Sequence, residues 1–140
     1  MKFVWMIYGL LMLSTCAFAQ AHTPALTDPV RKAILDSLRK PVEKELRQSV
    51  KFKVDHFKVQ GDWAFLRGVP QQPDGKPIDY RKTPYQQAIK DGVFDDWFCA
   101  LLQKRKGVWQ VVQYAIGATD VPWDGWDKQF KAPSSIFQSD

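Results

Sequence analysis

Between Asp28 and Leu46 apolar residues recur at helical spacing. Val30, Ala33, Ile34 and Leu38 fall on one side, and Arg31, Lys32, Asp36, Arg39 and Lys40 on the other. A period near 3.6 residues with one apolar side predicts an amphipathic helix lying on a core. Asp28 offers an N-cap, and Pro29 suits the first helical position because the amide proton it lacks has no partner there anyway. Pro41 removes one backbone hydrogen bond and crowds the preceding turn. The expectation is therefore a kink or restart before Val42 and Leu46 continue the stripe, with the end near residues 47–49.

From Val50 the period changes to two. Val50, Phe52 and Val54 alternate with Lys51, Lys53 and Asp55, and then Phe57 and Val59 carry the apolar positions on the opposite parity. A β-bulge at Asp55 and His56 would account for that one-residue slip. Gln60-Gly61-Asp62 reads as a tight turn, and residues 63–69 return as a second strand, making a hairpin. Residues 70–79 hold Pro70, Pro73, Gly75 and Pro77 and read as a loop. Thr83-Pro84-Tyr85-Gln86 fits a capping box opening a short helix with Tyr85 and Ile89 on one face, and Gly92 is placed to stop it. Two further strands follow, over residues 93–103 and 108–116, joined by the charged turn Lys104-Arg105-Lys106-Gly107.

The order is helix, hairpin, short helix, hairpin, which predicts an α+β domain with an N-terminal amphipathic helix packed on a curved antiparallel sheet of about four strands. Gly61-Asp62-Trp63-Ala64-Phe65-Leu66, Ala100-Leu101-Leu102-Gln103-Lys104 and Gly107-Val108-Trp109-Gln110-Val111-Val112 together resemble a pattern found in small exported bacterial proteins with cystatin-like or NTF2-like folds. The resemblance spans roughly residues 50–117 and rests on strand apolars and turn glycines. It implies a fold, and it carries over no catalytic residue. NTF2-like relatives often hold a pocket between helix and sheet, whereas a cystatin-like core is filled.

The first twenty residues change the picture of where the chain works. Lys2 gives a positive start, residues 4–13 an apolar run, and Ala17-Phe18-Ala19 a small-residue cleavage site before Gln20, the pattern of a secretory signal peptide. Two alternatives are an uncleaved anchor and lipidation at Cys16, since Leu13-Ser14-Thr15-Cys16 resembles a lipobox. The apolar run is short for a membrane span, which takes about 20 residues. Cleavage there makes Gln20 the first mature residue, ahead of one domain over residues 21–140 with mobile ends, His22 to Leu26 forming a loose leader. Loss of Lys2 lowers the net charge from +5 to +4. That charge is scattered, so a nucleic-acid partner is not expected. Cys99 then stands alone, which excludes an internal disulfide despite export to an oxidising compartment, and it reads as a buried, inert thiol.

No residue set carries a defensible catalytic, metal or phosphate signature, and no cofactor is expected. His56 has only Asp55 beside it, which points to the other face of a strand unless a bulge intervenes. Asp91, Asp95 and Asp96, and again Asp120, Asp124 and Asp127, form two groups of acids that read as solvated rather than as a glycosidase pair. Lys40, Lys44 and Arg47 with Lys51, Lys53 and Lys58 make a basic stripe, interrupted by Glu43 and Glu45, with Glu43 spaced to pair with Arg47. Trp63, Trp97 and Trp109 fit core positions on strands. Val121-Pro122-Trp123-Asp124-Gly125-Trp126-Asp127 lies past the last strand. There Trp123, Trp126 and Asp124 either present a sugar-stacking or protein-binding surface or close the open end of the core, and closing is the expected role. Tyr80, Arg81 and Tyr85, on the long loop and the helix after it, form the second candidate surface.

These readings lead to an exported cell-envelope, periplasmic or secreted, non-catalytic binding protein whose partner is another envelope protein or a glycan. The alternatives are an inhibitor or immunity protein for a periplasmic hydrolase, a small-ligand carrier, and an envelope enzyme using an Asp/His site.

Overall fold

The computed structural model describes residues 19–140, so the first 18 residues of the expected signal peptide, with the alternative lipidation site Cys16, lie outside the described residues. α1 runs Pro29–Leu46, with the Asp28 carboxylate accepting from the Val30 amide at 2.9 Å. It continues through Pro41 as one helix, without the expected restart. Ile34, Leu38, Val42 and Leu46, spaced by four, are fully buried. This single row packs onto the sheet, while Ala33, expected in the stripe, faces solvent.

The sheet is an antiparallel meander of β1 (Lys51–Gln60), β2 (Trp63–Gln71), β3 (Phe98–Arg105) and β4 (Val108–Ile116), in that spatial order. The bulge expected in β1 is present, since Val54 pairs with Gly68 and His56 with Arg67, leaving Asp55 out of register. It puts Phe52, Val54, Phe57 and Val59 all on the side of α1 despite their change of parity. A second bulge, which strand alternation did not reveal, lies at Val112, because Leu101 pairs with Gln113 and Leu102 with Val111. β3 begins at Phe98 rather than residue 93. The chain before it is held instead by Gly117, whose carbonyl accepts from the Asp95 amide and whose amide donates to the Trp97 carbonyl, at 3.1 and 2.9 Å.

Both faces of this open sheet are covered. Under α1 lie Phe57, Val59, Ala64, Leu66, Phe98, Ala100, Leu102 and Trp109. On the reverse face Phe65, Cys99 and Leu101 pack beneath the C-terminal segment, which contributes Trp126, Ala132 and Ile136 through a one-turn α-helix, Trp126–Phe130, and a 3-10 turn, Ser134–Phe137. The tryptophan segment therefore closes the core, over the second face of the sheet rather than at an open end. The leader is also tied down, since the His22 amide donates to the Val59 carbonyl at 2.9 Å and the Val59 amide donates back at 2.8 Å. Glu43 does not turn to Arg47. Its carboxylate accepts from the Val50 amide at 3.0 Å while Arg39 donates to the Val50 carbonyl at 3.0 Å, clipping the start of β1 to α1.

Candidate functional site

Between β2 and β3 the chain makes an excursion whose base is anchored and whose outer surface is open. Ile78 and Thr83 are buried. The Gln48 side chain pairs with both backbone groups of Asp79, accepting from its amide and donating to its carbonyl at 3.0 Å each. Asp79 then caps the 3-10 turn Tyr80–Lys82 by accepting from the Arg81 amide at 3.2 Å. Its carboxylate also accepts from the Arg81 guanidinium at 2.9 and 3.0 Å, and that neighbour holds the Asp79 carboxyl below its usual range. Thr83 and Gln86 do not form the reciprocal box expected of them. The Thr83 hydroxyl donates to the Tyr80 carbonyl at 2.7 Å and accepts from the Tyr85 amide, while Gln86 caps the Arg81 carbonyl. The resulting α2, Gln86–Lys90, stops at Gly92 as expected, with φ +70° and the Val93 amide donating to the Ala88 carbonyl at 2.9 Å.

Phe94 organises the aromatic part of this surface. Its ring lies 4.8 Å from Tyr80 and 5.1 Å from Tyr85, centroid to centroid. Only glycine fits beneath it, because a Cβ on Gly117 would come within 2.1 Å of the Phe94 ring. The Tyr80 hydroxyl donates to Asp96, and burial followed by that bond pushes its ionisation well above the usual tyrosine range. Tyr85 shifts the same way, through burial and then the nearby Glu45 carboxylate. Both are therefore neutral hydroxyls at physiological pH. Ile78, Tyr80, Arg81, Gln86, Ile89 and Lys90 line an open groove of about 480 Å³ here, beside which Ile89 and Val93 are 42% and 58% exposed. Tyr80 and Arg81 thus line one groove, whereas Tyr85 lies outside its lining and meets Tyr80 through the Phe94 ring.

The other expected group sits on the reverse face. Trp126 is 5% exposed and packs edge-on to Phe65 at 6.4 Å. Trp123 is half-buried between Phe65 and Trp97, at 5.5 and 5.4 Å, with the Arg67 guanidinium over its ring at 5.4 Å. Asp124 alone is open to solvent, beside a small cleft of about 260 Å³.

Asp91 is taken up by Gln87 and Asp96 by Tyr80, and no metal-holding group of His, Cys, Asp or Glu occurs among the described residues. Cys99 is fully buried, and burial pushes its thiol up to about 12, which keeps it un-ionised and unreactive. No helix among the described residues is long and apolar enough to cross a membrane.

One feature escaped the linear reading. Arg31, His56, Lys58 and Arg67 line a groove at the β1 edge together with leader residues. His56 faces it because of the bulge, and its Nε2 lies 2.8 Å from the Ile136 carbonyl. A carbonyl can only accept, so Nε2 carries the proton. Burial depresses the His56 pKa and keeps the ring neutral. The sequence signalled the bulge and Lys58, but not the meeting of residues 23–26 with Ser139 and Asp140. Compared with known proteins, this chain matches no family model, no curated protein and no solved structure.

Proposed function

We propose that this chain is an exported, non-catalytic binding protein of the bacterial cell envelope, which recognises another envelope protein through the excursion between β2 and β3. The observation that carries this reading is the groove of about 480 Å³ with exposed Ile89 and Val93 at its side, set on a base held by Gln48, Ile78 and Thr83. A preformed apolar patch with polar neighbours binds a protein surface at little ordering cost. A cystatin-like arrangement agrees with one helix followed by a four-stranded meander. It suits this reading better than an NTF2-like carrier, whose pocket would require empty space where Leu38, Leu66, Phe98 and Leu102 are fully packed. Inhibition of a periplasmic hydrolase is the narrower version, with the excursion entering the enzyme's cleft.

A photo-crosslinker at Ile89 in cells tests the binding reading. A discrete protein adduct, absent with the same group at Lys106 and lost on Val93→Ser, is expected. Absence of an adduct at Ile89 contradicts it. Export is tested by intact mass from the periplasmic fraction, where a chain beginning at Gln20 is expected.

A further inference from the structure

The groove at the β1 edge has a volume of about 480 Å³ and is bounded by Pro24 and Leu26 of the leader, Phe57 of β1, and Ser139 and Asp140. Three cations from three elements line it, Arg31 from α1, Lys58 from β1 and Arg67 from β2. Arg67 Nε lies 3.4 Å from Asp55 Oδ1, and Lys58 Nζ lies 2.5 Å from Asp140 Oδ1. Arg31 has no carboxylate partner among the described residues. Its guanidinium lies over the Phe57 ring at 4.8 Å and donates to the Pro24 carbonyl.

The pair between Lys58 and Asp140 is lopsided. The Lys58 side chain is 11% exposed and set into the fold, whereas that of Asp140 is 89% exposed. An exposed acid contributes little to such a pair and exchanges readily for another. We infer that this groove binds the carboxylates of an acidic peptide segment, and that Asp140 occupies the Lys58 position as an internal stand-in when the groove is free.

Three features select a peptide over a bare anion. Lys58 and Arg67 already hold carboxylates, so both positions are shown to take that group. Pro24, Leu26 and Phe57 give apolar walls against which the methylene stems of glutamate side chains pack. Neutral His56, with its proton on Nε2, keeps a lone pair at Nδ1, an acceptor that a peptide amide satisfies and a bare carboxylate does not. This site is separate from the surface between Ile78 and Val93 and does not depend on it.

The test is an amide NMR titration of the folded protein with a blocked tri-glutamate peptide, and in parallel with inorganic phosphate. Saturable shifts centred on Lys58, Arg67 and Arg31 are expected with the peptide. Asp140→Asn removes the stand-in and should tighten binding by about two- to fivefold, the scale of one exposed ion pair. Lys58→Gln should weaken it by at least that factor. If Lys58→Gln does not fold, Asp140→Asn, a change at an exposed side chain, still decides. Equal affinity in Asp140→Asn and the unaltered protein, peptide shifts confined to other surfaces, or phosphate binding as tightly as the peptide would each overturn the inference.

Discussion

The two faces of the sheet are buried by different means. Under α1 the cover is regular, with Ile34, Leu38, Val42 and Leu46 forming one fully buried row on one helix. On the reverse face the cover is irregular chain arranged around a single aromatic hub. The fully buried Phe65 meets Phe137 at 4.6 Å, Trp123 at 5.5 Å, His56 at 5.5 Å and Trp126 at 6.4 Å. A periodic cover spreads its burial over equivalent positions, whereas a hub concentrates it in one ring. The hub face also carries Arg67, whose guanidinium reaches both Trp123 and the carboxylate of Asp55, so packing there is continuous with the charged groove at the β1 edge.

That contrast is broken most severely at the hub. Phe65→Ala is expected to cost about 3–5 kcal/mol, and Leu38→Ala on the helix face about 2–5 kcal/mol, both read from urea unfolding. The distinguishing result is in the side-chain signals. Phe65→Ala should shift the indole resonances of Trp123 and Trp126 together, while Leu38→Ala should leave them in place. Gly68→Ala comes next, because an added Cβ would sit 2.1 Å from the Lys53 carbonyl oxygen, an obstacle that is backbone and cannot swing aside. A loss at the upper end of the roughly 1–3 kcal/mol typical of overpacking is expected from thermal melts.

Acidification should act on the hub face through His56. Its folded pKa lies below the ordinary value of 6.5, so the unfolded chain takes up the proton first. Stability is then complete above 6.5 and falls as pH drops through that value toward the depressed one. His56→Gln, which keeps an N–H in place of Nε2, should flatten stability between about pH 7 and pH 5. The carboxyls of Asp36, Asp79 and Asp140 are held below 3.8 by their Lys or Arg partners, so whatever they contribute is lost only at lower pH. The smallest effect belongs to the excursion, where Val93→Ser, at a side chain 58% exposed, should change stability by less than about 0.5 kcal/mol while abolishing the adduct formed by the crosslinker at position 89.

The same contrast explains what could be read from the sequence. The helix with its cap, the β1 bulge, both hairpins and the Gly92 stop each leave a local mark, either a period or a residue with special backbone freedom. The nearness of Tyr80 and Arg81 was legible because a single loop carries them, whereas the place of Tyr85 beside Phe94 and outside the groove lining was not. The reverse face was legible only in the expected closing role of Trp126 and the burial of Cys99, since Trp126, Ala132 and Ile136 follow no period and owe their burial to Phe65, Cys99 and Leu101 far earlier in the chain. The expected start of β3 at residue 93 failed for a related reason. Val93-Phe94 reads as strand by composition, but Phe94 is seated on Gly117 and so turns that stretch into a loop. The groove at the β1 edge needed residues 23–31, 54–58, 67 and 139–140 together, a juxtaposition set by tertiary packing alone.

Cys99 reports directly on whether the C-terminal segment is a fixed layer of the fold, because its thiol is fully buried in the reverse-face cluster. The decisive measurement is its rate of reaction with an aromatic disulfide reagent in native buffer, for the unaltered chain and for Trp126→Ala. The account predicts that the unaltered thiol reacts only at the rate of global unfolding, and that Trp126→Ala accelerates it at least tenfold while the protein stays folded. Rapid labelling of the unaltered chain, or an unchanged rate in a folded Trp126→Ala protein, would show that the segment is not the cover of that face.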